Sequence, residues 1–342
     1  MFPIFFGEDR IMFKELFVNF TTVALISFLL TVIISKIVIP ILRGHKIGQS
    51  IREEGPEWHR SKAGTPTMGG ICFIMAILAA LAVMAVIYAF FGKQRELIPL
   101  AFTLILALAN GLIGFVDDYC KLIKKQNEGL KVLPKLLLQL LAAAIYVFAL
   151  RIFGHLDTSL AIPFTDITLE LGWLYYVFAI ALIAGVVNSV NFTDGIDGLA
   201  TSVTLVVMAF FSVVSFALLS APLALLSGAM IGGLIGFLIF NIHPAKVFMG
   251  DTGSLFLGGV VTGAAFLINQ PLIILVVGGI YILEILSVVL QVSYFKLTHG
   301  KRIFKMSPIH HHFEKCGWGE GKIVCIFSAV TALLCVIAWF GI

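Results

Sequence analysis

Long apolar runs alternate with short polar connections along the whole chain, and that rhythm sets the first expectations. A helix that crosses a bilayer needs about 20 mostly apolar residues. Stretches meeting that length run over Phe17–Ile39, Met68–Phe91, Leu97–Val116, Val132–Phe153 and Leu171–Val190 in the first half. The second half supplies Leu199–Ser220, Pro222–Asn241, Ser254–Asn269, Pro271–Lys296 and Lys322–Ile342. The pattern predicts an all-α integral membrane protein of about ten transmembrane helices. Tight junctions at Pro222 and Pro271 leave the ends there loosely defined, and no linker is long enough to separate two domains. Residues 1–342 therefore read as one polytopic domain.

Composition agrees: of 342 residues, 60% are hydrophobic and 12% charged, with a mean hydropathy of +1.05. Soluble domains carry about 25% charged residues. The net charge of +4 is too small to argue for a nucleic-acid partner, but its distribution is informative. The odd-numbered connections hold Arg43, Lys46, Arg52, Arg60, Lys62, Lys121, Lys124, Lys125, Lys131, Lys246, Lys301, Arg302, Lys305 and Lys315. The even-numbered ones hold Lys93 and Arg95, and the N-terminal tail Arg10 and Lys14. Positive charge stays cytoplasmic, so the odd connections are expected in the cytoplasm and both termini in the periplasm. The charged N-terminal tail precedes a span expected to be retained, not a cleaved signal. Five scattered cysteines make no CxxC pair, which argues against a disulfide framework or a zinc site. Gly228, Gly232 and Gly236, like Gly259 and Gly263, recur every four residues, a spacing that suits close helix packing and is also common in membrane helices generally.

The unusual polar clusters all fall on odd connections. Asp117-Asp118, followed by Lys121, Lys124 and Lys125, reads either as a solvated helix end or as a pair of acids that ligate a cation or act as a base. Asn191-Phe-Thr-Asp194-Gly-Ile-Asp197-Gly198 gives a whole connection to acids and glycines, without the spacing of a calcium loop. Asn241-Ile-His243-Pro-Ala-Lys246-Val-Phe248-Met-Gly250-Asp251-Thr252-Gly253-Ser254 places Asp251 just before a helix. It is either a capping residue or a third carboxylate converging on Asp117-Asp118. In Ser307-Pro-Ile-His310-His311-His312-Phe313-Glu314 the consecutive histidines do not suit one zinc ion, whereas phosphate contact or base chemistry suits one or two of them. Lys62-Ala-Gly64-Thr65-Pro66-Thr67-Met68-Gly69-Gly70 is a turn whose lysine and amides are candidate anion contacts. Glu284, inside the ninth span, is expected to pair across helices or line a groove.

Taken in order, "GTPTMGG", "GFVDDYCK", "NFTDGIDGLA", "NIHPAKVFMGDTGS" and "MSPIHHHFE" resemble the phospho-N-acetylmuramoyl-pentapeptide transferases, a branch of the polyprenyl-phosphate N-acetylhexosamine-1-phosphate transferase superfamily. The resemblance covers nearly the whole chain. It implies transfer of phospho-N-acetylmuramoyl-pentapeptide from its UDP derivative to undecaprenyl phosphate, giving lipid I and UMP with Mg²⁺, in a homodimer of the bacterial inner membrane. It also implies roles. Asp251 is the Mg²⁺ ligand, and Asp117 and Asp118 are catalytic acids, Asp117 contacting or deprotonating the lipid phosphate. Asn191, Asp194, Asp197, Asn241 and Phe248 form the nucleotide pocket, Phe248 by stacking on uracil. Lys62, Lys121, Lys125, Lys135, His310, His311 and His312 hold phosphates or sugar groups, His310 with a catalytic part. In the family the helix corresponding to Pro271–Lys296 is bent into a lipid groove. A sister enzyme transferring N-acetylglucosamine-1-phosphate would share the aspartates but not the histidine stretch. A secondary transporter would need its buried acids near mid-bilayer, where Glu284 alone lies.

Overall fold

The computed structural model describes residues 8–44, 62, 64–124 and 129–342. Helices dominate: α1 (Glu8–Gly44), α2 (Gly70–Phe90), α3 (Ile98–Lys124), α4 (Val132–Ile152), α5 (Leu174–Thr193) and α6 (Leu199–Ala217). They continue with α7 (Ala221–Asn241), α8 (Gly250–Leu267), α9 (Ile274–Val277), α10 (Gly279–Leu297), α11 (Ile309–Glu314) and α12 (Glu320–Trp339). Among the described residues, nine helices are long and apolar enough to cross a membrane. The chain is a multi-pass membrane protein. The stretch expected as an eighth span forms α8, an 18-residue helix outside that nine and buried along nearly its whole length.

Small residues explain how α8 reaches the centre. Methyl groups on Gly258 and Gly259 would come within 2.6 Å of Val187 Cα in α5 and 2.7 Å of Ala107 Cα in α3, and one on Gly263 would strike Thr103. The second glycine series faces α1. Methyls on Gly228 and Gly236 would lie 2.9 Å from Phe20 O and 3.0 Å from Phe28 O, and one on Gly232 would strike the Ala24 carbonyl. Both series therefore let helix backbones touch, as their spacing suggested.

Three features go beyond the reading of apolar runs. The span read as Pro271–Lys296 is interrupted: a 3₁₀ turn (Pro271–Ile273) and the single turn of α9 end at Gly278, and α10 begins afresh. Hydropathy runs unbroken through that point; the glycine is the only local hint, while the family resemblance implies a bend in this helix. The all-α expectation omits a hairpin, β1 (Ser159–Ala161) paired antiparallel with β2 (Thr168–Glu170), where Leu160 and Leu169 are partners. Lastly, α3 does not stop at Val116. It continues to Lys124 because Lys121, three and four residues on, pairs with both Asp118 and Asp117 and offsets their charge.

Candidate active site

Opposed helix directions bring the C-termini of α3 and α5 to the same end of the bundle as the N-termini of α2, α4, α6, α8 and α12. The polar motifs meet there. Carboxylate oxygens of Asp117, Asp118 and Asp251 lie within 4.8 Å of one another. Two lysines enter the group: Lys121 Nζ is 2.6 Å from Asp117 Oδ2 and 3.1 Å from Asp251 Oδ2, and Lys135 Nζ is 2.6 Å from Asp251 Oδ2. Lys135, on the first turn of α4, thus joins the cluster from a stretch whose sequence offered the least guidance.

The three acids differ in what they have left to offer. Asp118 is held by the first turn of α8. Its Oδ2 accepts the Thr252 amide at 2.9 Å and the Thr252 hydroxyl at 2.7 Å, and its Oδ1 accepts the Asp251 amide at 3.2 Å. It therefore caps the N-terminus of α8 from another helix, where the orphan amides and the dipole favour an anion. Asp117 accepts the Leu130 amide at 2.9 Å through Oδ1. Asp251, about one-fifth exposed, is the most open of the three, and Asn191 Nδ2 steadies its Oδ1 at 3.1 Å while donating to Ser254 Oγ at 2.8 Å.

A second group lies around the α5–α6 link. Lys62 Nζ sits 2.7 Å from Asp197 Oδ1 and 2.7 Å from a Glu320 carboxylate oxygen. Asp197 Oδ2 lies 3.0 Å from His243 Nδ1 and accepts the Ala245 amide at 3.0 Å, and Glu320 accepts the Asp197 amide at 3.0 Å. Asp194, partly buried on the same link, has its carboxyl raised well above the ordinary range by burial and then by the charges of Asp251, Asp118 and Asp197.

Other expected contacts prove to be internal. Asn241 is buried, its Oδ1 accepting the Thr201 hydroxyl at 2.7 Å and its Nδ2 donating to Val247 O at 3.0 Å, so it holds the 242–249 loop and does not open to a ligand. His312 Nδ1 accepts the Lys305 amide at 3.1 Å, which turns this ring toward its own loop. The amides of Gly69 and Gly70, expected as anion contacts, donate instead to Phe248 O at 2.8 Å and Met249 O at 3.0 Å. Those glycines are needed because methyl groups there would meet Val247 and the Gly253 backbone at 2.5 Å. Phe248 is partly exposed on this loop. His311 Nδ1 lies 2.6 Å from Glu314 Oε2, and His310 is buried. Lys125 lies outside the described residues. Sequence reasoning passed over Glu320 and did not give His243 a role. A first-turn acid and a His-Pro turn carry no signal until folding sets them against Asp197.

Oxygen donors in this number suit a hard divalent cation, and the intervening lysines suit phosphate oxygens. Fold and site together define a multi-pass membrane protein with a carboxylate–lysine centre at its helix ends. Residues 100–269 match the model of glycosyl transferase family 4, and residues 62–74 match the phospho-N-acetylmuramoyl-pentapeptide-transferase signature 1. The chain is 48% identical to the phospho-N-acetylmuramoyl-pentapeptide-transferase of Clostridium novyi, over 93% of this chain and 95% of the relative. It is 47% identical to that of Clostridium acetobutylicum (93% and 97%) and 45% identical to that of Bacillus cytotoxicus (91% and 94%). The chain belongs to the phospho-N-acetylmuramoyl-pentapeptide-transferase family.

Proposed function

We propose that the Asp117–Asp118–Asp251 centre carries out the family's transfer at the cytoplasmic face of the bacterial inner membrane. The chain moves phospho-N-acetylmuramoyl-pentapeptide from its UDP derivative to undecaprenyl phosphate, forming lipid I and UMP for peptidoglycan synthesis. An oxygen of the lipid phosphate attacks the β-phosphorus, and UMP leaves with the bridging oxygen. The observation that carries this reading is the convergence of three carboxylates and two lysines within hydrogen-bonding reach. Attack of one phosphate on another crowds anions together, and cations must offset that charge.

The donor set fits Mg²⁺: all three acids present oxygen, within the reach of one ion. Asp251 would hold it, with Asp117 beside it, because Asp118 is committed to the α8 amides. Bound there, the ion would supply Lewis-acid polarisation of the diphosphate. Asp117 receives the lipid phosphate, taking its proton where one is present. Lys121 and Lys135 hold phosphate oxygens in place of their present carboxylate partners. Direct attack needs no covalent aspartyl intermediate, and we favour it as the simpler path. The Lys62–Asp197 group and Phe248 receive the nucleotide, with Asp194 and His311 nearby.

We further propose that α8 counts as a tenth span, that both termini face the periplasm, that α10 borders the lipid acceptor's groove, and that the enzyme works as a homodimer. The lysine and arginine asymmetry supports the orientation. The test is UMP release by purified protein in detergent, with both substrates, comparing Mg²⁺ with EDTA and wild type with Asp251→Ala. Release that requires Mg²⁺ and both substrates and is lost in the variant is expected. Release unaffected by EDTA would refute the metal assignment, and no release from folded wild type would refute the donor assignment.

A further inference from the structure

Glu284 and His310 form a buried couple that the transfer chemistry above does not use. Glu284 lies in α10, inside the membrane-spanning part, and His310 is in the first turn of α11; neither has any exposed surface. Glu284 Oε2 is 3.0 Å from His310 Nδ1. The opposite ring nitrogen, Nε2, is buried and finds no hydrogen-bond partner among the described residues, as does Glu284 Oε1. Nε2 looks onto Gly195, next to Asp194 in the polar α5–α6 link, and a methyl on Gly195 would collide with it. Glycine at 195 is thus what lets the α5–α6 link pass this close to Nε2.

Charge balance decides what that edge offers. A net charge sealed among apolar helices is costly, so the couple is held in a neutral state. Three neutral states exist. The carboxyl group donates its proton to Nδ1, or a carboxylate faces an imidazolium, and in both Nε2 carries a hydrogen. The third puts the acid proton on Oε1 while Nδ1–H donates to Oε2, which leaves Nε2 bare; it is disfavoured because the stronger O–H donor then finds no partner.

We propose that Glu284 is a positioning residue that fixes His310 as an Nε2–H donor aimed past Gly195 at the anionic oxygens of the bound nucleotide-sugar. This rests on the transferase reading of the site. A hydrogen-bond donor held ready costs no reorganisation when negative charge develops. Side chains that orient metal-bound histidines matter by about 10- to 100-fold, and the same order is taken for this couple.

Three variants test the assignment in full-length protein: Glu284→Leu, Glu284→Gln and the double variant Glu284→Leu/His310→Asn, with His310→Asn as reference. Glu284→Leu is expected to lower kcat by about 10- to 100-fold with a smaller change in KM for the nucleotide. Glu284→Gln, whose amide donates to Nδ1 and so preserves the Nε2–H form, is expected to recover most of that loss. In the His310→Asn background, Glu284→Leu should cost nothing further. Equal losses from Glu284→Leu with and without His310, or a Gln variant as poor as Leu, would overturn the proposal and mark Glu284 as structural. Nitrogen-15 NMR of histidine-labelled wild type provides a check independent of variant folding: a His310 ring with a bare Nε2 would overturn it too. Absence of transfer by the wild type would instead defeat the underlying transferase reading.

Discussion

Gly114 sits in α3 against the first turn of α8, three residues before Asp117. A methyl group at this position would lie 2.7 Å from Thr252 N and collide with the Asp251 carbonyl. Ordinary contact begins at 3.4 Å, so α3 and α8 must part by at least about 0.7 Å to admit Gly114→Ala. The opposing atoms are backbone, and no side-chain rotation relieves the clash. Parting of that size stretches the 2.9 Å and 2.7 Å bonds from Thr252 to Asp118 beyond useful hydrogen-bond length and shifts Asp251 relative to Asp117. Overpacking of this kind costs about 1–3 kcal/mol of stability. Misplacement of a catalytic group by about 1 Å costs roughly 100-fold in rate. We therefore expect Gly114→Ala to lower UMP release by one to two orders of magnitude, roughly, while a folded protein is still recovered. Gly185→Ala is the control, since a methyl there meets nothing within 4 Å. Wild-type turnover and melting temperature in Gly114→Ala would refute the claim that backbone contact between α3 and α8 sets the acid geometry.

Thr252→Val removes one of the three donors to Asp118 and keeps the shape, so stability should fall by about 1.5–3 kcal/mol, read as a lower melting temperature in detergent; an unchanged value would mean that Asp118 does not cap α8. Glu320→Gln weakens the hold on Lys62 and the Asp197 amide. It should raise KM for the nucleotide by about tenfold with kcat nearly kept, and a fall confined to kcat would place Glu320 in the chemistry instead. Asp194 gives a pH effect whose sign follows from its raised native value. Above about pH 4 the unfolded chain loses this proton while the native state keeps it, so stability falls as pH rises until the native carboxyl ionises. Asp194→Asn should flatten that fall in Mg²⁺-free melting curves, and an unaltered slope would refute the assignment.

Much of the fold was legible because a bilayer simplifies the code: a helix must be long and apolar, and nine such helices among the described residues stand where the runs were read. What hydropathy does not encode is interruption and depth. Gly278 ends α9 inside an unbroken apolar run, because the local backbone there leaves the helical region while every neighbour stays greasy. The hairpin of β1 and β2 is three residues a side, too short for its alternation to stand out from a loop. The near-complete burial of α8 depends on two helices approaching it on neighbouring faces, a fact carried jointly by Gly258, Gly259, Ala107 and Val187 and by none of them alone.

The site was legible as a set of motifs but not as a division of labour. A polar residue in a motif looks the same in sequence whether it faces a ligand or holds the loop that does. Asn241, Asp118 and His312 make contacts of the holding sort, to Val247, the α8 amides and the Lys305 amide, respectively. Asp251, held from the side by Asn191 and left partly open, is the residue we propose meets substrate. The distinction has a physical origin. Charged groups brought to one end of a bundle repel unless most are fixed by amides and lysines, so a carboxylate free to meet substrate requires several polar neighbours that never touch it. A motif writes that whole arrangement in one string of letters, and only the folded geometry separates the residues open to a ligand from those that hold them.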